Sequence, residues 1–297
     1  MILRPPPRPA GRLSVTRYAK PTTIDEALAL LADGAWRMLA GGTDFYPAQG
    51  SRPIRDDVLD LNGLAELRGV SAGAGHIRIG ARTTWTDILR ADLPPAFDAL
   101  KQAAREVGSV QIQNVGTVAG NLCNASPAAD GVPALLVLDA EVELRSAAAT
   151  RRLPLAQFIL GNRKTALLEG EMMTAVRVPT DAATGTSSFV KLGARRYLVI
   201  SIAMAAARLV VAGGSVRQAA VAVGSCSATA RRLTGLESAL DGQPVGAIPA
   251  IAAGAAFDEL SPIDDVRGSA AYRRDAAREI VLRALSAATV PVQRAAA

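Results

Sequence analysis

Apolar positions at Ile24, Ala27, Leu28 and Leu31 recur at helical spacing within YAKPTTIDEALALLADG, which opens on the pair Thr23–Glu26 and closes on Gly34. This predicts a helix with a capping box at its start and a glycine stop. The period then shortens. WRMLAGG reads as a strand running into a glycine turn, and DDVLDLN (56–62) as a second strand. ELRGVSAGAGHIRIGARTTW predicts a hairpin whose second arm alternates through Ile77, Ile79 and Ala81. TTWTDILR and PAFDALKQAAREVGS read as helices, DGVPALLVLDAEVELRS as a short helix entering a strand, LPLAQFILG as a helical turn, and GEMMTAVRVP (170–179) as a strand stopped by Pro179. TDAATGTSS predicts a linker and a domain boundary. Beyond it, FVKLGARRYLVISIAMAAARLVV and SVRQAAVAVGSC suggest strands, and Thr234–Glu237 a second capping box. The terminal SAAYRRDAAREIVLRALSAA predicts an amphipathic helix, with Tyr272, Ala276, Ile280 and Ala284 on one face and Arg273, Arg274 and Arg278 on another. Strands and helices mix without strict alternation, so the expected class is α+β.

Composition narrows the function classes. The chain has 297 residues, 49% apolar and 20% charged, which suits a globular protein with two or three units. The run Leu198–Ala212 is too short to span a bilayer and carries Arg208. No secretory signal is read at the N-terminus, so a cytoplasmic location is expected. The net charge of +6 is a local property: Arg4, Arg8, Arg12, Arg17 and Lys20 fall where no acid occurs, and the remaining basic residues balance the 27 acids to within one charge. A Pro-rich basic tail, residues 1–14, therefore explains the charge better than a nucleic-acid groove.

Two cysteines, Cys123 and Cys226, and one histidine, His76, cannot build an iron–sulfur cluster or a structural zinc site alone. His76 falls at a hairpin edge and is expected to be exposed and chemically idle, which leaves no Ser-His-Asp triad. No metal ligands and no catalytic acid–base residues are assigned.

Two glycine-containing stretches hold the candidate chemistry: LAGGTDFYPAQG at 39–50 and NVGTVAGNLCNASPAAD at 114–130. Neither is a Rossmann or Walker A fingerprint. Glycine nevertheless lets backbone amides approach an anion, and the first turn of a helix adds unpaired N–H groups. Gly41 to Asp44 and the Thr43 hydroxyl, with the Gly120 and Asn121 amides helped by Thr117, could grip a diphosphate from two sides. Spacing alone leaves two ordinary turns as the other reading. Cys123, with no partner cysteine nearby, is expected to be a packed thiol, and Asp130 precedes a helical stretch as an N-cap.

These motifs, with GTVAGNLCNASPAADGVPALLVLDA, KLGARRYLVISIA and RGSAAYRRD, resemble in order and spacing the FAD-binding medium subunit of the molybdenum hydroxylases, the xanthine dehydrogenase and carbon monoxide dehydrogenase group. The similarity runs from Val15 to about Ala288. It implies a PCMH-type FAD-binding domain at 15–182 in two subdomains (about 15–62 and 63–182), then a smaller α+β C-terminal domain at 187–290. It implies non-covalent FAD, with the first loop contributing Leu39, Ala40, Gly41, Gly42, Thr43, Asp44 and Phe45. From the second loop it implies Thr117, Ala119, Gly120 and Asn121. It places Asn124 and Asp130 toward the ribityl or flavin region, Met173 and Lys191 along the isoalloxazine, and Tyr197 nearby. Lys191 is one of only four lysines against 29 arginines.

Three positions depart from the family pattern. Ala119 replaces a glycine, Gln113 replaces an arginine before NVGT, and the first loop reads AGGTD where carbon monoxide enzymes have AGGQS. The resemblance further implies a molybdenum cofactor and [2Fe–2S] clusters on partner chains only, a large and a small subunit respectively, in a hetero-oligomer that passes electrons through FAD to an outside acceptor. A self-contained flavin oxidoreductase on the same fold, and a scaffold that has lost FAD, are the alternatives.

Overall fold

The computed structural model describes residues 16–290. The tail expected at 1–14 therefore lies outside the described residues. Arg17, which carries part of the N-terminal charge, is docked: its guanidinium pairs with Asp57 at 2.7 Å and lies 4.5 Å over the Trp36 ring.

The first unit is small and parallel. Strands β1 (Tyr18–Ala19) and β2 (Arg37–Leu39) flank β3 (Val58–Asp60), and helix α1 (Ile24–Asp33) crosses between β1 and β2. The capping box is formed: the Glu26 amide donates to Thr23 Oγ1 at 3.2 Å, and Glu26 accepts from the Thr23 amide. Ile24, Ala27, Leu28 and Leu31 close on Leu59, Leu61, Leu64 and Leu67, so the predicted apolar stripe is the buried one. A short helix α2 (Phe45–Gln49) follows the first glycine loop.

The second unit is a five-stranded antiparallel sheet in the order β4-β5-β10-β6-β7. Its hairpin is β4 (Val70–Gly73) with β5 (His76–Gly80). Helices α3 (Trp85–Arg90), α4 (Asp98–Glu106), α5 (Val110–Val115), α6 (Val118–Asn124) and α7 (Gly131–Leu136) then precede β6 (Glu141–Arg145) and β7 (Thr150–Pro154). Helix α8 (Leu155–Phe158) and the minor hairpin β8 (Ile159–Gly161) and β9 (Lys164–Thr165) lead into the central strand β10 (Met172–Pro179). Alternation along β10 sends Met172 to the cluster under α1 and Met173 to the main core. The register slips between Met173 and Ala175 against β6, a bulge beside Met173, which lines the cavity described below.

The third unit is an antiparallel sheet, β11 (Thr186–Leu192), β12 (Ala203–Ala212), β13 (Ser215–Gly224) and β14 (Arg231–Arg232), covered by α9 (Thr234–Leu240), α10 (Ile248–Gly254) and the long α11 (Ala270–Ala288). β12 is buried on both faces. Ala203, Ala205, Ala207 and Leu209 face the α11 core, while Met204 and Ala206 join the core of the second unit. Alanines on both faces leave room for helices to close on each side. The whole is α+β, as its sequence pattern predicts.

Four expectations are corrected here. The linker TDAATGTSS is not a free connector: Ser187 and Ser188 are buried in β11, and Ser187 Oγ donates to Ala96 O at 2.7 Å and accepts from the Ala99 amide at 2.8 Å. The second capping box does not form. Thr234 is the first helical residue of α9, and Glu237 turns instead to the Val221 amide at 2.8 Å and to the Arg232 guanidinium. In α11 the buried face holds Arg273, Ala277, Ile280, Val281, Ala284 and Leu285, while Tyr272 is half exposed. Arg273 is only 3% exposed because its guanidinium donates to Ile202 O, Ser225 O and Asp265. Asp130 occupies an N-cap position without capping; its side chain is held elsewhere.

Candidate functional site

Two loops meet at one place. The first leaves β2 after Leu39 and turns through Ala40–Asp44 into α2, with Gly42 at φ +75°. The second leaves α5 at Gly116 and enters α6 at Thr117. An added Cβ at Gly41 would lie 2.0 Å from the Val115 carbonyl oxygen and 2.9 Å from Gly116 Cα. The loops are thus in backbone-to-backbone contact, and only glycine fits at 41. Gly42 needs its glycine for a different reason: its positive φ, together with the Tyr46 ring, which a Cβ would meet at 2.7 Å.

The amides of Gly41, Gly42, Thr43 and Asp44 find no acceptor among the described residues, although the Gly42 and Asp44 carbonyls start α2 by accepting from Tyr46 and Ala48. The second loop differs from its sequence expectation. Thr117 caps its own helix, taking the Gly120 amide on Oγ1 at 3.1 Å and the Asn121 amide on its carbonyl at 3.1 Å. The Gly120 and Asn121 amides are therefore engaged. The amide of Ala119 stays without an acceptor among the described residues.

The loops border a cavity of about 660 Å³, within the range of roughly 300–1,000 Å³ usual for ligand pockets. Ala40, Gly41, Gly42, Thr43, Asp44, Phe45, Thr117, Ala119, Gly120, Asn121, Asn124 and Met173 line it. Trp85, fully buried, and Ile112 and Leu61 supply apolar wall, and Leu198, Val199 and Ile200 form another side. Asn121 Oδ1 is buried and has no hydrogen-bond partner among the described residues. An unpaired buried acceptor is costly in an empty cavity and useful in one that takes a donor.

Four expected residues stand apart from this lining. Leu39 is buried beneath it with Phe45 and Val58. Lys191 is an interior residue: its Nζ lies 2.7 Å from Asp130 Oδ2 and donates to Glu106 O at 3.2 Å. Ser201 Oγ donates to the other Asp130 oxygen at 2.6 Å. Burial pushes the Asp130 carboxyl up, with Lys191 and Ser201 pulling the other way. Tyr197 is 58% exposed, beneath the Arg196 guanidinium rather than in the lining.

Other residues also find their places. Gln113, the departure from the family arginine, is buried and ties the end of α4 to α5 by donating to the Arg105 and Val107 carbonyls. Cys123 keeps exposed surface on the cavity lining, while its surroundings desolvate the thiol and push it up to about 12. His76 is half-buried at the hairpin, 2.9 Å from the Arg177 guanidinium. Among the described residues no three His, Cys, Asp or Glu side chains gather as a metal site.

Sequence reasoning missed Arg82, Trp85 and the stretch Leu198–Ile200. No local signal marks them, since Trp85 starts α3 and Arg82 and Leu198–Ile200 lie outside the strands, and each reaches the cavity only through the tertiary fold.

Two family models match the chain in succession: FAD binding domain in molybdopterin dehydrogenase over residues 13–181, and CO dehydrogenase flavoprotein C-terminal domain over residues 188–288. The nicotinate dehydrogenase FAD-subunit of Eubacterium barkeri is 38% identical over 193 residues, which is 62% of this chain and 65% of that protein. The carbon monoxide dehydrogenase medium chain of Hydrogenophaga pseudoflava is 31% identical over 91% of this chain and 96% of its own. A solved carbon monoxide dehydrogenase from the same organism, lacking the Mo-pyranopterin moiety of its molybdenum cofactor, contains a chain that superposes with a TM-score of 0.80 at 29% identity, covering 92% of this chain and 97% of that one.

Proposed function

The chain belongs to the family of FAD-binding subunits of the molybdenum hydroxylases, and from that premise we propose that it is the electron-transfer flavoprotein of such a complex. The observation that carries the reading is the convergence of two glycine loops on one cavity that faces them with acceptor-free amides. FAD, when bound, would supply the redox chemistry that links iron–sulfur clusters on a partner chain to an outside acceptor.

The chain's own residues bind and orient. The amides of Gly41–Asp44 and of Ala119 are suited to diphosphate oxygens, with the Thr43 hydroxyl beside them. Asn121 Oδ1 is suited to a hydroxyl or ring N–H donor. Met173, Trp85 and the Leu198–Ile200 stretch give the apolar surface that excludes water from a flat ring. Lys191 and Asp130 act at one remove in this reading: through Ser201 they hold the segment that carries Leu198–Ile200.

The molybdenum cofactor and [2Fe–2S] clusters are placed on a large and a small partner chain, in a cytoplasmic hetero-oligomer. Among the described residues no helix is long and apolar enough to cross a membrane. Residues 15–182 and 187–290 are proposed as the FAD-binding and C-terminal domains. Co-expression with the iron–sulfur and molybdenum chains, followed by size exclusion, tests the reading: the three should elute together, and this chain alone should hydroxylate nothing. A chain that elutes alone and oxidises a substrate alone would favour a self-contained oxidoreductase.

A further inference from the structure

Three charged side chains line the cavity: Arg37, Arg82 and Asp44. Arg37 is neutralised and packed, since its guanidinium lies 4.1 Å over the Phe45 ring, donates to Gln49 Oε1 at 2.7 Å and sits 3.5 Å from Asp56. Arg82 is different. It forms no ion pair among the described residues. Its guanidinium donates to Leu64 O at 2.7 Å and to Asn62 Oδ1 at 3.2 Å, and its Nε is buried with no partner among the described residues. Asp60 is already engaged by the Tyr18 hydroxyl at 2.6 Å and the Asn62 amide at 2.9 Å.

Asn62, which orients Arg82, also donates through Nδ2 to Ala40 O at 2.9 Å. One amide side chain thereby sets the distance between a guanidinium and the first glycine loop. Burial, and then the neighbouring Arg68, work to lower the Arg82 pKa, with the charge of Asp60 opposing them, as expected of a partly buried cation that no carboxylate contacts directly.

We propose that Arg82 is the charge-neutralising ligand of the cofactor's diphosphate, a binding residue that completes the anion site made by the Gly41–Asp44 amides. This rests on the FAD reading above and adds to it the group that balances the phosphate charge. Amides alone carry no net charge, and Asp44 in the same lining opposes an anion. A guanidinium with no ion pair among the described residues and an uncommitted Nε–H supplies the missing positive charge in a form suited to phosphate oxygens. The arrangement also carries a cost. A partly desolvated cation without an ion-pair partner among the described residues disfavours the unloaded protein and favours the loaded one.

The test uses the full-length chain, stripped of flavin, with FAD titrated by quenching of flavin fluorescence at low and high salt and apoprotein melting followed in parallel. Arg82→Gln should weaken FAD roughly ten- to hundredfold, the scale of a lost charge-assisted bond. It should flatten the salt dependence and leave the apoprotein melting temperature unchanged or raised. Arg82→Lys, which keeps the charge without the fork, should fall between the two. Arg82→Gln with wild-type affinity and salt dependence would overturn the assignment. So would a variant whose apoprotein melts well below wild type while Arg82→Lys restores neither melting nor affinity, since Arg82 would then be a brace for Asn62 and Leu64. A wild-type chain that takes up no FAD would overturn the functional reading itself, and this inference with it.

Discussion

Lys191 Nζ and Asp130 Oδ2 lie 2.7 Å apart with both side chains more than nine-tenths buried, at 6% and 8% exposure. The pair joins β11 to the start of α7, and Ser201 extends it to the segment beside the cavity. Removing one partner leaves the other charge buried and uncompensated. Lys191→Met should destabilise the chain by about 3–5 kcal/mol in urea unfolding at neutral pH. The double variant Lys191→Met, Asp130→Leu should recover much of that loss. Because burial raises the folded Asp130 carboxyl, the stability it contributes when protonated is present below the unfolded value and lost as pH rises through the folded one. The Lys191→Met deficit should therefore shrink in acid. A single variant as stable as wild type at neutral pH would show that the pair is not held as described.

Gly41 and Gly42 should fail differently when substituted. At Gly41 the obstacle is the backbone carbonyl of Val115, the last residue of α5 before the second loop, which cannot rotate away. At Gly42 the obstacle is its own positive φ and a Tyr46 ring that can swing. Gly41→Ala should abolish FAD uptake by driving the loops apart. Gly42→Ala should cost on the order of 1 kcal/mol of stability and retain weakened binding, whereas the branched Gly42→Val should lose it. Equilibrium dialysis with FAD separates the three. Equal binding by Gly41→Ala and wild type would mean that the loop contact is irrelevant to the ligand.

Asp87 supplies a pH-dependent test of the second unit. Burial works to raise its carboxyl, but the two-pronged bond from Arg68 and the Thr84 amide outweigh burial and hold it at about 2. The folded value lies below the unfolded one, about 3.9. The stability is therefore complete above the unfolded value and is lost as pH falls from about 4 to about 2. Asp87→Asn should be destabilised by about 1–2 kcal/mol at neutral pH through loss of this cap and ion pair. Its deficit against wild type should close over that acid window. A deficit that stays constant down to the lowest pH would contradict the assignment.

Much of this was legible in the sequence where local rules act alone. The Thr23–Glu26 cap, the 70–80 hairpin and the strand at 172–179 need only periodicity and turn chemistry. The glycine loops were also legible as a pair, though not their reason: Gly41 is required by a carbonyl seventy-odd residues away in sequence. Arg273 defeated the helical pattern because a buried guanidinium reads as a solvent face until the carbonyls of Ile202 and Ser225 are in place to receive it. Glu237 failed for the same kind of reason, since Arg232 competes for it. The resemblance implies Lys191 along the isoalloxazine, and no local rule shows its pairing with Asp130, which lies 61 residues away in sequence.

The central claim is that the Gly41 and Thr117 loops hold FAD without a covalent bond. The measurement that tests it most directly is the flavin content of the purified full-length chain after loading with FAD and desalting, with the protein then precipitated by acid. A yellow protein carrying about one flavin per chain, all of it released to the acid supernatant as FAD, is the predicted result. A colourless protein, or a flavin that stays in the pellet, would contradict it.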